Sequence, residues 1–96
     1  MIIYNVKGRR VDEYDEKMVL IRMTRLSEFE GKLLEVLSNG KYNSYKDISN
    51  YLYGYFDRCS LECIYVFKKR IKRKTKMNIS VIRKYGLRLT DEIYIR

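Results

Sequence analysis

The side chains best suited to chemistry in this sequence are cations, and they gather in its last third. Residues 1–62 carry ten basic and ten acidic side chains, whereas residues 63–96 carry eleven basic and two acidic ones. No acidic residue lies between Cys63 and Thr90. Because lysine and arginine bind phosphates through charge and hydrogen bonds, this distribution predicts a surface that binds a polyanion. The alternative is a basic face that is solvated and binds no partner. The absence of net charge in the first two-thirds of the sequence argues against it, because the protein has no general excess of basic residues.

Side chains for other kinds of chemistry are scarce. The 96 residues include no histidine and only two cysteines, Cys59 and Cys63. Catalysis by imidazole is therefore excluded, and a structural zinc site needs about four cysteine or histidine ligands. We expect no enzyme activity, no metal and no cofactor. The cysteines are expected to be small, buried or half-exposed thiols. The alternative is a redox or metal-binding pair, but a disulfide across one helical turn is geometrically awkward.

Two further groups of residues each allow two interpretations. An acidic cluster near the amino end consists of Asp12, Glu13, Asp15 and Glu16. It resembles a metal site, but we expect it to solubilise a hairpin and to repel DNA from that side. The ten tyrosines are numerous enough for stacking on unpaired bases. Most of them, such as Tyr51 and Tyr53, are expected in the core or at its rim, while Tyr65 and Tyr85 are expected on the nucleic-acid surface.

Hydrophobic spacing predicts strands at the amino end. Apolar and polar residues alternate over 2–6, and turn residues lie at 7–8 and 15–16. The expected result is an antiparallel meander with its second strand over 11–14 and its third over 18–23.

Two helices are predicted next from their capping residues. Ser27 and Glu30 have the spacing of a capping box, which begins a helix over 28–38. Ser44 begins a shorter helix that ends at Gly54. The residues expected on the inner face of this second helix are Ile48, Tyr51 and Leu52.

A third, long helix is predicted from Asp57 to about residue 74. Its expected buried stripe is Leu61, Ile64, Phe67 and Ile71. The opposite side is expected to present Glu62, Tyr65, Val66, Lys69, Arg70 and Arg73. Seven cations occupy the nine positions 68–76. Two strands joined by a turn at 83–86 follow, and residues 93–95 are expected to add one more strand.

A short helix, a long basic helix and a basic hairpin are typical of a winged helix-turn-helix, whose third helix enters the major groove of DNA. The sequence resembles the DNA-binding effector domains of OmpR/PhoB-type regulators over nearly its whole length. The matching stretches are Leu26-Ser27 with Glu30 and 33–34, Ser44 with Ile48 and 52–54, 64–71, and 79–89.

This resemblance implies a sequence-specific transcriptional regulator that binds double-stranded DNA. The expected fold is α+β: one winged-helix domain over 1–96, with strands in 1–24, three helices in 27–75, and the wing with a terminal strand in 79–96. The alternative is a winged-helix module that binds RNA or a protein partner. The residues expected to contact DNA are Arg58, Glu62, Tyr65, Val66, Lys68, Lys69, Arg70, Lys72, Arg73, Arg83, Lys84, Tyr85 and Arg88.

Departures from the family pattern affect the expected contacts. Tyr65 and Val66 stand where the family usually has two arginines, and Lys84 stands at the first glycine of the wing. These changes leave the implied fold intact, but a target sequence cannot be transferred from the family.

The cellular setting is also an expectation at this point. No apolar run reaches the ~18 residues of a membrane span, and the amino end lacks a signal-peptide pattern. We expect a cytoplasmic, nucleoid-associated protein of a bacterium or phage with an AT-rich genome. Besides duplex DNA, the expected partners are RNA polymerase or another regulator, and a second copy of the chain on DNA. Since the chain begins at the strands, we expect an orphan effector, controlled by abundance, dimerisation or a partner.

Overall fold

The structure, a computed structural model, describes residues 1–96 and contains seven strands and three helices. The strands are β1 (Ile2–Asn5), β2 (Arg10–Tyr14), β3 (Leu20–Arg25), β4 (Asn43–Ser44), β5 (Ile79–Ile82), β6 (Gly86–Leu89) and β7 (Ile93–Ile95). The helices are α1 (Glu28–Leu37), α2 (Tyr45–Tyr53) and α3 (Arg58–Thr75). This order confirms the expected α+β class, with strands, three helices and a terminal hairpin.

The strands at the amino end form a four-stranded sheet in the order β3-β2-β1-β7. The β1–β2 and β2–β3 pairs are antiparallel as expected, and Tyr4 of β1 lies opposite Val11 of β2, both in the core. The terminal strand β7, however, pairs parallel with β1. The carboxy end of the chain therefore closes the amino-terminal sheet, which local spacing alone did not reveal.

The predicted position of the third strand was wrong by two residues. The strand begins at Leu20, because Met18 has a positive φ of 63° and cannot continue a strand. The Asp15 carboxylate accepts hydrogen bonds from the N–H groups of Lys17 and Val19 at 2.8 and 3.0 Å. These bonds extend the turn, so β3 runs to Arg25 instead of ending at Met23.

The acidic cluster also differs from its expected role. Asp12 is buried rather than exposed. Its carboxylate accepts hydrogen bonds from Arg10 at 2.9 and 3.1 Å and from the Asn5 amide at 2.9 Å. Because a buried charge is stable only when it is paired and hydrogen-bonded, Asp12 stabilises the sheet and does not act as a solubilising surface residue.

Helices α1 and α2 begin and end as predicted. The Ser27 hydroxyl accepts from the Glu30 N–H at 3.3 Å, and the Glu30 carboxylate accepts from the Ser27 N–H at 2.9 Å. Gly54 ends α2 with a φ of 81°. Tyr51, expected on the inner face of α2, is instead 53% exposed and its hydroxyl lies 3.4 Å from Glu35. The buried residues of α2 are Tyr45, Ile48, Ser49 and Leu52, and Tyr51 lies outside the face that they form.

The core lies between the four-stranded sheet, the three helices and the hairpin. Ile64 and Ile71 of α3 are fully buried, whereas Leu61 and Phe67 are half-buried. The buried residues of the core cluster are Tyr4, Val11, Leu26, Leu33, Leu34, Leu37, Tyr45, Ile48, Leu52, Ile64, Ile71, Met77, Leu87, Leu89 and Ile93. None of the three helices has both the length and the apolar character that a membrane crossing requires.

A second sheet, in the order β4-β6-β5, fixes the wing to α2. Strand β4 has only two residues and was not predicted. A Cβ at Gly86 would overlap the Asn43 carbonyl oxygen, so only glycine allows β6 to approach β4 this closely. The Tyr45 N–H also donates to the Tyr85 carbonyl at 2.8 Å. The wing turn is therefore held against the first residue of α2.

Candidate nucleic-acid interface

Helix α3 is positioned by hydrogen bonds at its first turn. The Ser60 N–H donates to Asp57 Oδ1 at 2.8 Å, and the Asp57 N–H donates to Ser60 Oγ at 3.0 Å, which completes a capping box. The buried Ser49 hydroxyl of α2 donates to Ser60 Oγ at 2.8 Å. The turn between α2 and α3 is thus fixed by polar contacts, which sets the direction in which α3 leaves the core.

The exposed side of α3 carries most of the residues expected to contact DNA. The exposed members are Arg58, Glu62, Tyr65, Val66, Lys69, Arg70, Lys72 and Arg73. Lys68 is half-buried. None of these five cations forms an ion pair within the protein: Lys68, Lys69, Arg70, Lys72 and Arg73. Their charges remain available to an anionic partner.

Lys74, counted in the basic cluster of the sequence, has a structural role instead. Its ammonium lies 2.7 Å from Oε1 of Glu30, whose carboxylate is buried. Burial alone raises the pKa of Glu30, but the hydrogen bonds from Lys74 and from the Ser27 backbone more than offset it and lower the pKa. This ion pair joins the start of α1 to the end of α3, so Lys74 does not belong to the free basic surface.

Charge is also balanced at the other end of α3. Arg58 lies 3.6 Å from Glu62, one helical turn later, and both side chains are exposed. An exposed pair of this kind is weak, so either partner can exchange it for another contact. The net positive charge of α3 consequently lies in its second half.

A cleft joins α3 to the wing and to the start of α2. It has a volume of about 340 Å³, and its lining includes Tyr65 of α3 with Lys84 and Tyr85 of the wing. The Tyr65 ring meets the Tyr45 ring edge-on, with centroids 5.4 Å apart. Burial first, and then the neighbouring Tyr65, raises the pKa of Tyr45. The structure thus brings three of the expected contact residues together.

Two residues of this cleft were not predicted from the sequence, Lys46 and Phe56. Lys46 is the second residue of α2, and Phe56 lies in the turn before α3. Lys46 could have been found from its position in the first turn of α2, two residues after the N-cap Ser44. In a helix-turn-helix, the start of the helix that precedes the recognition helix lies near the DNA backbone. Phe56 carries no comparable signal.

The wing presents its cations unevenly. Arg83, Lys84 and Tyr85 are exposed in the turn between β5 and β6, and Lys84 has a positive φ of 63°. Arg88 lies further along β6, where its Nε donates to the Gly40 carbonyl at 2.8 Å and its guanidinium lies over the Tyr42 ring. Arg88 is exposed, but these contacts tie it to the loop after α1 and away from the tip of the wing.

The two cysteines are more accessible than expected. Cys59 and Cys63 are both exposed free thiols, so the expectation of buried or half-exposed thiols was wrong. They line a groove on the exposed side of α3 together with Val66. Burial, followed by the neighbouring Cys63 thiol, raises the pKa of Tyr53 to about 12.

Comparisons with known proteins address the fold. No family model and no curated protein matches the chain. The crystal structure of the DNA-binding domain of CssR from Bacillus subtilis is similar to it, with a TM-score of 0.70 and 22% sequence identity. The match covers 93% of this chain and 99% of the CssR domain. The chain therefore has the winged helix-turn-helix fold that its resemblance to OmpR/PhoB-type effector domains implies.

Proposed function

We propose that the chain is a sequence-specific regulator of transcription that binds double-stranded DNA. In this proposal α3 enters the major groove, and the wing lies on the adjacent backbone or in the minor groove. Residues 1–96 act as one DNA-binding, non-enzymatic domain in the cytoplasm, at the nucleoid of a bacterium or phage. RNA polymerase or another regulator, and a second copy of the chain, are the further proposed partners.

The observation that carries this proposal is the charge on the exposed side of α3. Five cations at positions 68–73 have no ion-pair partner in the protein, and the wing tip adds Arg83 and Lys84. An α-helix is about 10–12 Å across and fits the major groove of B-DNA. Unpaired cations on such a helix meet the phosphates on both sides of the groove. The fold of the CssR domain, a DNA-binding domain, supports the same function.

Sequence readout is proposed to depend on Tyr65, Val66 and Glu62. Val66 is 44% exposed and cannot donate a hydrogen bond, but its methyl groups can pack on the thymine C5 methyl. Tyr65 can donate to a phosphate, which positions the helix without reading sequence. Glu62 can accept from cytosine N4 once Arg58 releases it. We infer an operator richer in A·T pairs than that of an arginine-bearing relative.

Selection of bound sites from random duplex DNA, followed by mobility shifts, tests this proposal. Lys69→Ala and Arg70→Ala each remove an exposed cation of α3 and should weaken binding by about 1–3 kcal/mol. Lys7→Ala is the matched control, because it removes an exposed cation from the β1–β2 turn and should leave affinity unchanged. All three variants should have the melting temperature of the wild type.

Competition identifies the alternative function. If single-stranded RNA displaces the selected duplex at equal concentration, or if Lys69→Ala and Lys7→Ala bind duplex DNA alike, the major-groove proposal is wrong. A winged-helix module for RNA or for a protein partner would then be the better description.

A further inference from the structure

A small cavity lies between the β1–β2 turn and α1, away from α3 and the wing. It has a volume of about 130 Å³, and its lining consists of Tyr4, Val6, Arg9, Glu28, Lys32 and Glu35. Because liquid water occupies about 30 Å³ per molecule, this space holds roughly four waters or one organic molecule of about five heavy atoms. The proposed DNA interface contributes none of these residues, so binding in the cavity does not depend on the proposed function.

The inner wall of the cavity carries a tyrosine hydroxyl. Tyr4 is only 1% exposed, and its hydroxyl forms no hydrogen bond within the protein, although every fully buried polar side-chain atom has a partner. The hydroxyl therefore directs its small exposed surface into the cavity that Tyr4 lines. Burial first, and then the Glu35 carboxylate, raises the pKa of Tyr4 to about 12, so the hydroxyl is a donor at neutral pH. Since buried polar groups are nearly always hydrogen-bonded, we expect an acceptor inside the cavity.

The sequence makes room for this hydroxyl at a cost to α1. Gly31 lies within the helix, where glycine is less favourable than alanine. A Cβ at this position would overlap the Tyr4 hydroxyl, so only glycine leaves space for it. A phenylalanine at position 4 would give the core the same ring without an unpaired polar group. The combination of Tyr4 with Gly31 therefore favours a use for the hydroxyl that packing does not explain.

The cavity also places one unpaired cation and one unpaired anion around the hydroxyl. Arg9, in the β1–β2 turn, forms no ion pair, and neither does Glu35 of α1. The Glu35 carboxylate accepts only one hydrogen bond, from the Tyr51 hydroxyl at 3.4 Å. The other two charged residues of the lining, Glu28 and Lys32, pair with each other at 3.7 Å. The site therefore has no net charge but offers separate contacts to an anionic and to a cationic group.

We propose that this cavity binds a small zwitterion of the α-amino acid class, of the size of glycine or alanine. The carboxylate of the ligand pairs with Arg9 and accepts the hydrogen bond of the Tyr4 hydroxyl, while its ammonium group pairs with Glu35. Charge selects this class, because Glu35 repels a simple anion, Arg9 repels a simple cation, and a neutral molecule pairs with neither. Glycine has the number of heavy atoms that the cavity holds.

Titration of the full chain with glycine, followed by nuclear magnetic resonance, tests the proposal. The backbone amide signals around the cavity, those of Val6, Arg9 and Gly31, should shift and saturate. The expected dissociation constant is about 1 mM, because so small a ligand makes few contacts. Acetate and methylammonium each carry only one of the two charges, so both should bind about tenfold more weakly than glycine.

Variants of the two groups that face the ligand identify the site. Tyr4→Phe and Glu35→Gln should each weaken glycine binding about tenfold, because each removes one contact to a charged group and keeps the shape of the side chain. Tyr4→Phe should keep the wild-type melting temperature, since the hydroxyl that it removes has no partner in the protein. Tyr94→Phe and Glu62→Gln are the matched controls: they make the same changes at exposed positions outside the cavity and should leave glycine binding unchanged.

Three results would overturn the proposal. Without a saturable shift up to about 50 mM glycine or alanine, the cavity holds water only. If acetate binds as tightly as glycine, the site is one for simple anions. If Tyr4→Phe and Glu35→Gln both keep the wild-type affinity, glycine binds elsewhere. Because the titration contains no DNA, failure of this proposal and failure of the proposed function give different results.

Discussion

At the scale of single residues, Lys84 combines a strained backbone conformation with a proposed role in DNA binding. Its φ of 63° lies in the left-handed region, which costs a non-glycine residue about 1–2 kcal/mol. The family of effector domains that the sequence resembles has glycine here. The strained lysine is compatible with the fold because the β4–β6 pair and the Tyr45–Tyr85 hydrogen bond hold the turn on both sides.

Lys84→Gly should therefore separate the two properties. Glycine relieves the left-handed strain but adds freedom to the unfolded chain, so the free energy of unfolding should rise by about 0.5–1 kcal/mol. Affinity for the selected DNA should fall by about 1 kcal/mol if Lys84 meets a phosphate as proposed, because the variant removes its ammonium group. Lys84→Ala should show the same fall in affinity without the gain in stability. Urea denaturation and mobility shifts measure the two effects, and equal stability of both variants would contradict the account of strain.

The Glu30–Lys74 pair gives a second prediction at this scale. Lys74→Ala leaves a buried carboxylate without its cation and should lower the free energy of unfolding by about 3 kcal/mol at pH 7. Because the folded pKa of Glu30 is lowered, the pair stabilises the protein above the ordinary glutamate pKa and loses this effect as pH falls through the folded pKa. The deficit of Lys74→Ala should thus shrink as pH falls below about 4. Lys72→Ala, which removes an exposed neighbour, should be near neutral at both pH values.

The role of a residue could be predicted from the sequence only where helical spacing shows whether its side chain is buried or exposed. The exposed positions of Lys69, Arg70 and Val66 follow from the apolar stripe opposite them. The roles of Lys74 and Asp12 depend on partners on other elements, which no local pattern contains. Sequence reasoning therefore located the basic surface but counted in its cluster one lysine, Lys74, that pairs with the buried Glu30.

At the scale of elements, α3 has one side buried in the core and one side exposed. Ile64 and Ile71 anchor it, while Cys59 and Cys63 lie in the groove on its exposed side. If this side enters DNA, bound duplex should slow the alkylation of both thiols by iodoacetamide several-fold. Cys59→Ser and Cys63→Ser allow each thiol to be followed separately by mass spectrometry. Alkylation rates that saturating duplex does not change would show that another surface binds.

Helices that begin at their own capping residues were predicted more accurately than strands that depend on pairing with a distant strand. The first residues of α1, α2 and α3 follow from the N-caps Ser27, Ser44 and Asp57, whose side chains accept hydrogen bonds from backbone groups three residues later. Strand β4 has two residues and exists because β6 lies beside it. The parallel pairing of β7 with β1 joins residues more than ninety positions apart, so local periodicity cannot indicate it.

At the scale of the whole molecule, charge is divided between the two ends of the fold. The amino-terminal sheet contains the buried Asp12 pair and the acidic turn before β3, whereas α3 and the wing tip carry the unpaired cations. If the chain binds DNA as proposed, this polarity directs α3 and the wing towards it.

The salt dependence of binding measures this division directly. Seven cations of α3 and the wing tip lack ion-pair partners: Lys68, Lys69, Arg70, Lys72, Arg73, Arg83 and Lys84. If about five to seven of them meet phosphates, log affinity should fall against log salt with a slope of about −4 to −6. Replacing both Arg83 and Lys84 by alanine should reduce the steepness by about 2, since each phosphate that a cation neutralises adds about one unit to the slope. Replacing Lys7 and Lys17, two exposed lysines of the amino-terminal turns, should leave the slope unchanged. A slope near zero between about 50 and 200 mM salt would show that phosphates are not the partners of these cations.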